Sequence, residues 1–227
     1  MKIKFNTFEI LIGAVLLISF IHVAVRFNAL PDPMPVHFNI DGEADQYGSR
    51  WFAWLMPGMG LLIYFILRII PRIDPRWENY KLFSRSYNFI RLAVQLLLSS
   101  LTIFITEIFI DFHPQEVQFK WVMVLIFTFF AVMGNFMRTI RSNYFAGIRT
   151  PWTLENEQVW KRTHEVGGRL WFYAGLLLAL ITTLLPSDKL AMFMLAPLMI
   201  IAIYPVAYSY WYYQKLKKEN SNSSSSH

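Results

Sequence analysis

The feature that most constrains this chain is a series of six apolar segments, each long enough to cross a lipid bilayer as a helix. An α-helix rises about 1.5 Å per residue, so about 20 apolar residues cross the hydrocarbon core of a bilayer, which is about 30 Å thick. Hydrophobic residues make up 55% of the 227 positions and charged residues only 16%, which is too apolar for a soluble domain of this size. The sequence therefore predicts an all-α integral membrane protein with six transmembrane helices, at residues 8–27, 51–70, 90–111, 120–136, 170–186 and 190–211.

The positive charges are concentrated on one side of the predicted membrane. Of the 21 Lys and Arg residues, 17 lie at the two termini, between helices 2 and 3, or between helices 4 and 5. Cytoplasmic loops carry an excess of Lys and Arg, so both termini and the loop between helices 4 and 5 are predicted to be cytoplasmic. This orientation explains the net charge of +6, and no direct contact with nucleic acid is expected.

The opposite, outer side carries an acidic loop at residues 28–50. Its three prolines disfavour a helix, so this loop is predicted to be extended and turned. Charged side chains in or beside a membrane are candidate functional groups because their burial in lipid is costly. His22, Glu107 and Asp111 lie near the outer helix ends, and the alternative for Glu107 and Asp111 is that they simply reach water. As outer ligand-binding candidates we take His37, Asp41, Glu43, Asp45 and Glu107.

The acids of this loop do not form a recognised metal motif. The order Asp41, Glu43, Asp45 lacks the downstream glutamate of a calcium-binding loop, and the chain contains no H-E-x-x-H. Asp41-Gly42 is more typical of a turn. We therefore predict no metal site and no cofactor.

On the inner side, residues 135–171, here called the signature segment, join helices 4 and 5 and are too rich in specific polar and aromatic residues for a simple connector. Thr150 or Thr153 can cap a helix that has Pro151 in its first turn and ends at Gly167-Gly168. Such an amphipathic helix either lies at the lipid interface, with Trp160 as its anchor, or forms a protein-docking surface. The candidate residues are Asn143, Gly147, Arg149, Thr150, Pro151, Trp152, Trp160 and His164.

Arg149 has two possible kinds of ligand. Its planar guanidinium can bind a carboxylate or a phosphate through two parallel hydrogen bonds, and a lipid headgroup can supply that phosphate. The sequence alone leaves both possibilities open.

The usual enzyme motifs are missing from the sequence. It has no G-x-S-x-G, P-loop or dinucleotide-binding fingerprint, and no cysteine for thiolate chemistry. His164 and Glu165 are adjacent in sequence and so point in different directions on a helix. We therefore expect no enzyme activity and assign no catalytic residue. An integral membrane enzyme acting on a peptide or lipid, or a peptide or lipid transporter, stays as the alternative function.

Two stretches of the sequence resemble those of a known family. Residues 143–154, which read NYFAGIRTPWTL, followed by Trp160, His164 and Gly167-Gly168, resemble the signature of the SdpI family. Residues 30–45 resemble the module of unknown function that commonly precedes that signature, through Leu30-Pro31 and the run PVHFN at 35–39. Together the two resemblances cover roughly residues 11–60 and 130–205.

The resemblance implies a multi-pass protein of a bacterial plasma membrane that confers immunity to a secreted antimicrobial peptide. It also implies a receptor role, in which the protein holds a cytoplasmic transcriptional repressor at the membrane. The expected partners are thus a cationic toxin peptide, a repressor and membrane lipids. The acidic outer loop opposite the basic inner face motivates the cationic character of the peptide.

The chain is expected to divide into four regions. Residues 1–70 form a two-helix module with the acidic, proline-rich loop, and residues 71–133 form a connector with helices 3 and 4. Residues 134–213 contain the signature segment with helices 5 and 6. The serine-rich tail, 214–227, is expected to be disordered because it has too few apolar groups to fold.

Overall fold

The computed structural model describes residues 6–39, 44–110, 119–185 and 190–224. Within these ranges the chain is mostly helical, with one β-hairpin. The hairpin pairs β1 (Met34–Phe38) with β2 (Ala44–Gly48), and short 3₁₀ helices at Phe27–Ala29 and Arg50–Trp54 flank it. The α-helices are α1 (Thr7–Arg26), α2 (Leu55–Ile73), α3 (Asn79–Leu82), α4 (Ser84–Ile110), α5 (Phe119–Met137), α6 (Pro151–Glu155), α7 (Glu157–Leu184) and α8 (Leu190–Ser224).

Five helices in the described ranges are long and apolar enough to cross a membrane. They overlap the first five predicted segments, although the fifth begins 13 residues earlier than predicted, and comprise Thr7–Ala29, Arg50–Ile73, Ser84–Ile110, Lys120–Met137 and Glu157–Leu184. Helix α8 covers the sixth predicted segment but is not among these five. The count of six spans and the cytoplasmic termini stay predictions.

The helices form two groups that meet between α4 and α5. Helix α1 packs along α4, with α2 beside both, and α5 packs along most of α7, which also contacts α8. The hairpin lies at the outer end of the first group, where the ring of Phe38 stacks on Phe109 of α4 at 6.2 Å between centroids. This agrees with the extended and turned outer loop expected from the prolines. The predicted turn at Asp41-Gly42 lies outside the described residues.

Helix α7 differs from the helix expected in the signature segment. It continues without a break through Gly167-Gly168, where an end was expected, and becomes the fifth span. The reason is packing, because Gly168 lies against the backbone of α5 at Gly134. The missing side chains thus allow two helices to approach closely. Small residues at helix contacts are typical of membrane proteins.

The C-terminal tail also differs from its expectation. Helix α8 runs on to Ser224, so residues 214–224 are helical where the composition predicts disorder. An i, i+4 pair between Lys215 and Glu219, 3.8 Å apart, supports this extension.

The contact between α5 and α7 generates a prediction. A Cβ atom at Gly134 would come within 2.4 Å of the Phe172 nitrogen and 2.6 Å of the Gly168 oxygen. Both neighbours are backbone atoms that cannot rotate away. We expect Gly134→Ala to lower the free energy of unfolding by roughly 1–3 kcal/mol. Thermal unfolding of the protein in detergent measures this change.

The matched control is Gly13→Ala in α1, where nothing lies within 4 Å of the added Cβ. This variant should be as stable as the wild type or slightly more stable, because alanine is the better helix former. Equal unfolding temperatures for the two variants would contradict the packing argument.

Candidate functional site

A pocket opens beside the hairpin on the outer side. Its volume is about 250 Å³, and strand β1, the start of α2 and the outer end of α4 supply its walls. The lining is largely apolar, with Met34, Val36 and Phe52 on one side and Thr102 and Thr106 of α4 on the other. No sequence motif indicated this pocket, since its walls come from three separate parts of the chain.

The outer candidate residues fall into two separate pairs. His37 Nδ1 lies 2.6 Å from Asp45 Oδ1 within the hairpin. Glu107 accepts hydrogen bonds from Arg26 Nε at 2.9 Å and Nη2 at 2.6 Å, which joins α1 to α4 and compensates the charge of Glu107. His22 Nε2 lies 3.0 Å from Glu107 without alignment for a hydrogen bond. Asp41, Glu43 and Asp111 lie outside the described residues.

The described part of the chain contains no group of three His, Cys, Asp or Glu residues that could hold a metal ion.

A buried charge cluster at the inner ends of α1, α2 and α4 was missed by the sequence analysis. The Glu9 carboxylate accepts hydrogen bonds from Arg91 at 2.8 and 3.3 Å and from the Tyr64 hydroxyl at 2.9 Å, and it forms a salt bridge with Arg68. Glu9 is 8% exposed and Arg91 is 6% exposed. The available signal was an ionisable residue inside an apolar segment. Arg68 and Arg91 had instead been counted as loop charges.

The cluster is the inner end of a polar stripe on α4. Arg91 is followed by four more buried polar side chains at helical spacing, so all five share one face of the helix. The last two, Thr102 and Thr106, line the outer pocket. The stripe thus extends from the charge cluster to the pocket, and comprises Arg91, Gln95, Ser99, Thr102 and Thr106.

The charge cluster predicts a large effect of a small substitution. Glu9→Gln keeps the shape of the side chain but removes the counter-charge of the buried Arg91 guanidinium. Loss of one member of a buried ion pair costs about 3–5 kcal/mol. We expect the unfolding temperature in detergent to fall accordingly. Glu165→Gln, which removes a surface carboxylate 3.3 Å from Arg162, is the control and should change stability by less than about 1 kcal/mol. Similar effects of both variants would contradict the structural role of Glu9.

On the inner side, the Asn143 side chain organises the loop of the signature segment. Asn143 is fully buried, and its Oδ1 accepts hydrogen bonds from the backbone nitrogens of Phe145 at 2.9 Å and Ala146 at 2.6 Å. Its Nδ2 donates to the carbonyl oxygens of Arg141 at 2.8 Å and Ala146 at 3.0 Å. Four backbone contacts from one amide fold the loop tightly, so Asn143 is a structural residue of this loop.

Asp74, at the end of α2, also holds this inner loop, through hydrogen bonds from a different part of the chain. Its buried carboxylate accepts hydrogen bonds from the Tyr144 nitrogen at 2.9 Å, the Arg76 nitrogen at 2.7 Å and the Tyr80 hydroxyl at 2.9 Å. Burial, and then the Asp74 carboxylate, raise the pKa of Tyr80 well above its usual value, so Tyr80 keeps its proton and acts as a donor. The Tyr80 hydroxyl also lies 3.2 Å from Asn143 Oδ1.

The basic connector between α2 and α4 therefore helps to hold the signature segment in place, a role that its sequence did not reveal. Arg76 donates to the Leu154 carbonyl oxygen at 2.9 Å and to the Ser142 hydroxyl. Asn79 donates to the Ser142 carbonyl oxygen at 2.7 Å. These contacts join residues more than 60 positions apart, which no local pattern could show.

His164 and Trp160 lie in the interior of the inner side. His164 is 1% exposed, stacks on Trp160 at 4.1 Å between ring centroids, and accepts a hydrogen bond from the Ile148 nitrogen at 3.0 Å through Nε2. Its Nδ1 donates to the Trp160 carbonyl oxygen at 2.8 Å. Trp160 is 2% exposed and donates to the Ile140 carbonyl oxygen at 2.8 Å, so it is not a lipid anchor.

Gly147 is required by this arrangement. Its φ is +102°, which residues with a side chain rarely adopt. A Cβ added at this position would also lie 2.3 Å from His164 Nε2.

The remaining inner candidates lie at the start of α6. Thr150 caps this helix, with its hydroxyl accepting from the Thr153 nitrogen at 3.2 Å, and Pro151 occupies the first position. The half-buried ring of Trp152 packs against Tyr210 of α8 at 4.9 Å. Arg149 is exposed and donates to the Tyr144 carbonyl oxygen at 2.8 Å. Arg149 and Pro151 are thus the exposed members of the candidate set, together with Gly147.

Asp74 generates the third prediction. Asp74→Asn replaces one acceptor oxygen by a donor, so one buried donor loses its partner, at a cost of about 1–3 kcal/mol. We expect the loop to open more often and trypsin to cleave faster after Arg141 and Arg149, which are exposed. Limited proteolysis in detergent measures the rate. Glu78→Gln in the same connector is the control, because Glu78 is exposed and 3.8 Å from its partner Lys81. Unchanged cleavage in Asp74→Asn would show that Asp74 does not hold the loop.

The helices, the outer pocket and the folded inner loop define a multi-pass helical membrane protein with a separate candidate site on each face. Comparison with known families shows which families its two halves resemble. Residues 139–209 match the SdpI/YfhL protein family, and residues 14–61 match a domain of unknown function (DUF1648). The two matches cover the stretches whose resemblance the sequence indicated, so both resemblances, to the SdpI family and to its N-terminal module, are confirmed.

A curated relative supports this assignment over most of the chain. "Immunity protein SdpI" of Bacillus subtilis (strain 168) is 24% identical over 200 residues, which cover 88% of this chain and 92% of the relative. No solved structure matches the chain significantly. The predicted location, a multi-pass protein of a bacterial membrane, is confirmed by the family and the apolar helices.

Proposed function

We propose that this protein protects a bacterium against a secreted cationic antimicrobial peptide, which it binds on its outer face. The observation that carries this proposal is the match to an immunity protein over nearly the whole length of both chains. The match includes the N-terminal module as well as the signature segment. The outer pocket and the acidic loop of residues 28–50 are then the parts of the molecule that a peptide from outside meets first.

The outer residues divide into two roles under this proposal. Asp41, Glu43 and Asp45 attract the peptide by charge, and the apolar pocket beside β1 receives its apolar side chains. His37 holds Asp45 in place within the hairpin. Glu107 contributes less to attraction because Arg26 compensates its charge, and it acts by joining α1 to α4 next to the pocket.

The inner face serves signalling in this proposal. The loop tip exposes Tyr144, Phe145 and Arg149 around a core formed by Asn143 and Asp74. Exposed aromatic and arginine side chains are enriched where proteins bind one another. A cytoplasmic transcriptional repressor held at this tip would couple peptide binding to gene expression.

The test of immunity is survival of a sensitive bacterium that expresses this protein and is challenged with purified cationic peptides. We expect cells that express the wild type to survive. Cells that express the triple variant Asp41→Asn, Glu43→Gln, Asp45→Asn should be killed by about tenfold less peptide, because surface charge changes association rates by about tenfold or more. Membrane levels of all variants are matched by immunoblot.

The control removes the same charge from the other face, through Glu78→Gln, Glu165→Gln and Glu219→Gln. This variant should protect as well as the wild type. Equal protection by both triple variants would refute recognition by the three acids of the outer loop. Absence of protection by the wild type against every peptide would favour a membrane enzyme or a transporter instead.

The same cells provide a readout for signalling. Transcription from the promoter of this gene is measured after peptide addition, in wild type and in Arg149→Ala. We expect Arg149→Ala to keep protection and lose the transcriptional response. A response that is unchanged in this variant would remove Arg149 from the proposed repressor contact.

A further inference from the structure

A groove lies on the basic face, where α4 and α7 begin and α5 ends. Its volume is about 750 Å³, three times that of the outer pocket. The first turn of α4, residues 138–142 and the first turn of α7 form its walls. The proposed peptide recognition and signalling do not use this groove.

The groove has a positive charge, which favours an anionic ligand. Arg138, Arg141 and Lys161 line it and are exposed, whereas Glu157 is the one acid in the lining. No salt bridge ties these three cations to a carboxylate within the described part of the chain, unlike the neighbouring Arg162, which pairs with Glu165. The groove therefore carries an excess of positive charge that the protein itself leaves uncompensated.

The position of the groove along the membrane-spanning helices corresponds to the headgroup layer of a bilayer. The span Glu157–Leu184 has 28 residues, or about 42 Å at 1.5 Å per residue. This length equals the thickness of a whole bilayer with its headgroups, about 40–45 Å, so the first turn of α7 lies among the headgroups. Arg138 directly follows the apolar span Lys120–Met137 and so lies at the boundary of the hydrocarbon.

An apolar side chain completes the groove. Leu82, at the end of α3, lines it and is 71% exposed. Exposed leucine beside three cations suits a ligand that has both an anionic head and an apolar part. A purely acidic peptide or a free phosphate would gain nothing from Leu82.

We propose that this groove binds an anionic phospholipid, with its phosphate against Arg138, Arg141 and Lys161 and the start of its acyl chains against Leu82. Basic pockets between membrane helices bind such headgroups in the same way. Bound lipid would cover the joint between α4, α5 and α7, next to the loop that Asn143 organises. The proposal stands apart from immunity, because it concerns the surrounding membrane and not the peptide.

The test is native mass spectrometry of the full-length protein, delipidated in detergent and titrated with phosphatidylglycerol or phosphatidylcholine. The wild type should retain phosphatidylglycerol and not phosphatidylcholine. The variant Arg138→Gln, Arg141→Gln, Lys161→Gln should bind phosphatidylglycerol about 100-fold more weakly, since each basic side chain near a membrane contributes to anionic-lipid binding. Leu82→Ser should weaken the binding of phosphatidylglycerol. The ability of free glycerol phosphate to compete for the three cations should be unchanged in this variant.

The matched control is Arg72→Gln, Lys217→Gln, Lys218→Gln, which removes the same charge from exposed positions outside the groove. It should bind phosphatidylglycerol like the wild type. Equal losses in both triple variants, or equal retention of phosphatidylcholine, would overturn the proposal. So would tight binding of a polyglutamate peptide that phosphatidylglycerol fails to displace. Circular dichroism of each variant verifies that it is folded.

Discussion

The Glu9 carboxylate is the group on which the N-terminal half of the bundle depends. A charge that is removed from water beside a membrane must be paired, because its uncompensated burial is far more costly than any single apolar contact. Glu9 meets this constraint through Arg68 and Arg91, which stand on two other helices. One carboxylate thus fixes the relative positions of α1, α2 and α4. The outer end of the same group is held by the pair of Arg26 and Glu107.

The same constraint shapes the inner face, although there the buried groups are mostly backbone. A loop that folds away from water must satisfy its own N–H and C=O groups. Asn143 and Asp74 form six hydrogen bonds to backbone atoms, and Asp74 accepts one more from the Tyr80 hydroxyl. His164 accepts a hydrogen bond from one further backbone nitrogen, that of Ile148. The residues that look most distinctive in the signature segment are therefore largely its framework, whereas the exposed side chains around them are available for partners.

Helix α2 connects the two faces. Its first turn helps to line the outer pocket, and the residue after its last turn, Asp74, holds the inner loop. The polar stripe of α4 follows the same path through the first helix group, from the charge cluster to Thr102 and Thr106. The proposed binding of a peptide on one side and of a repressor on the other would require such a connection, and in this chain both parts of it belong to the N-terminal group.

The sequence by itself determined the class of protein, the bounds of the first four spans to within six residues and the resemblance to the SdpI family, because length, apolar composition and the residue order at 143–154 are local properties. It could not determine that Trp160 and His164 are buried or that α7 passes through Gly167-Gly168, since an amphipathic pattern does not say which surface covers it. Only the tertiary structure decided the pairing of Glu9 with Arg91 and of Asp74 with Tyr144. These partners are 82 and 70 residues apart, and contacts at such distances arise from helix packing, which no local pattern encodes.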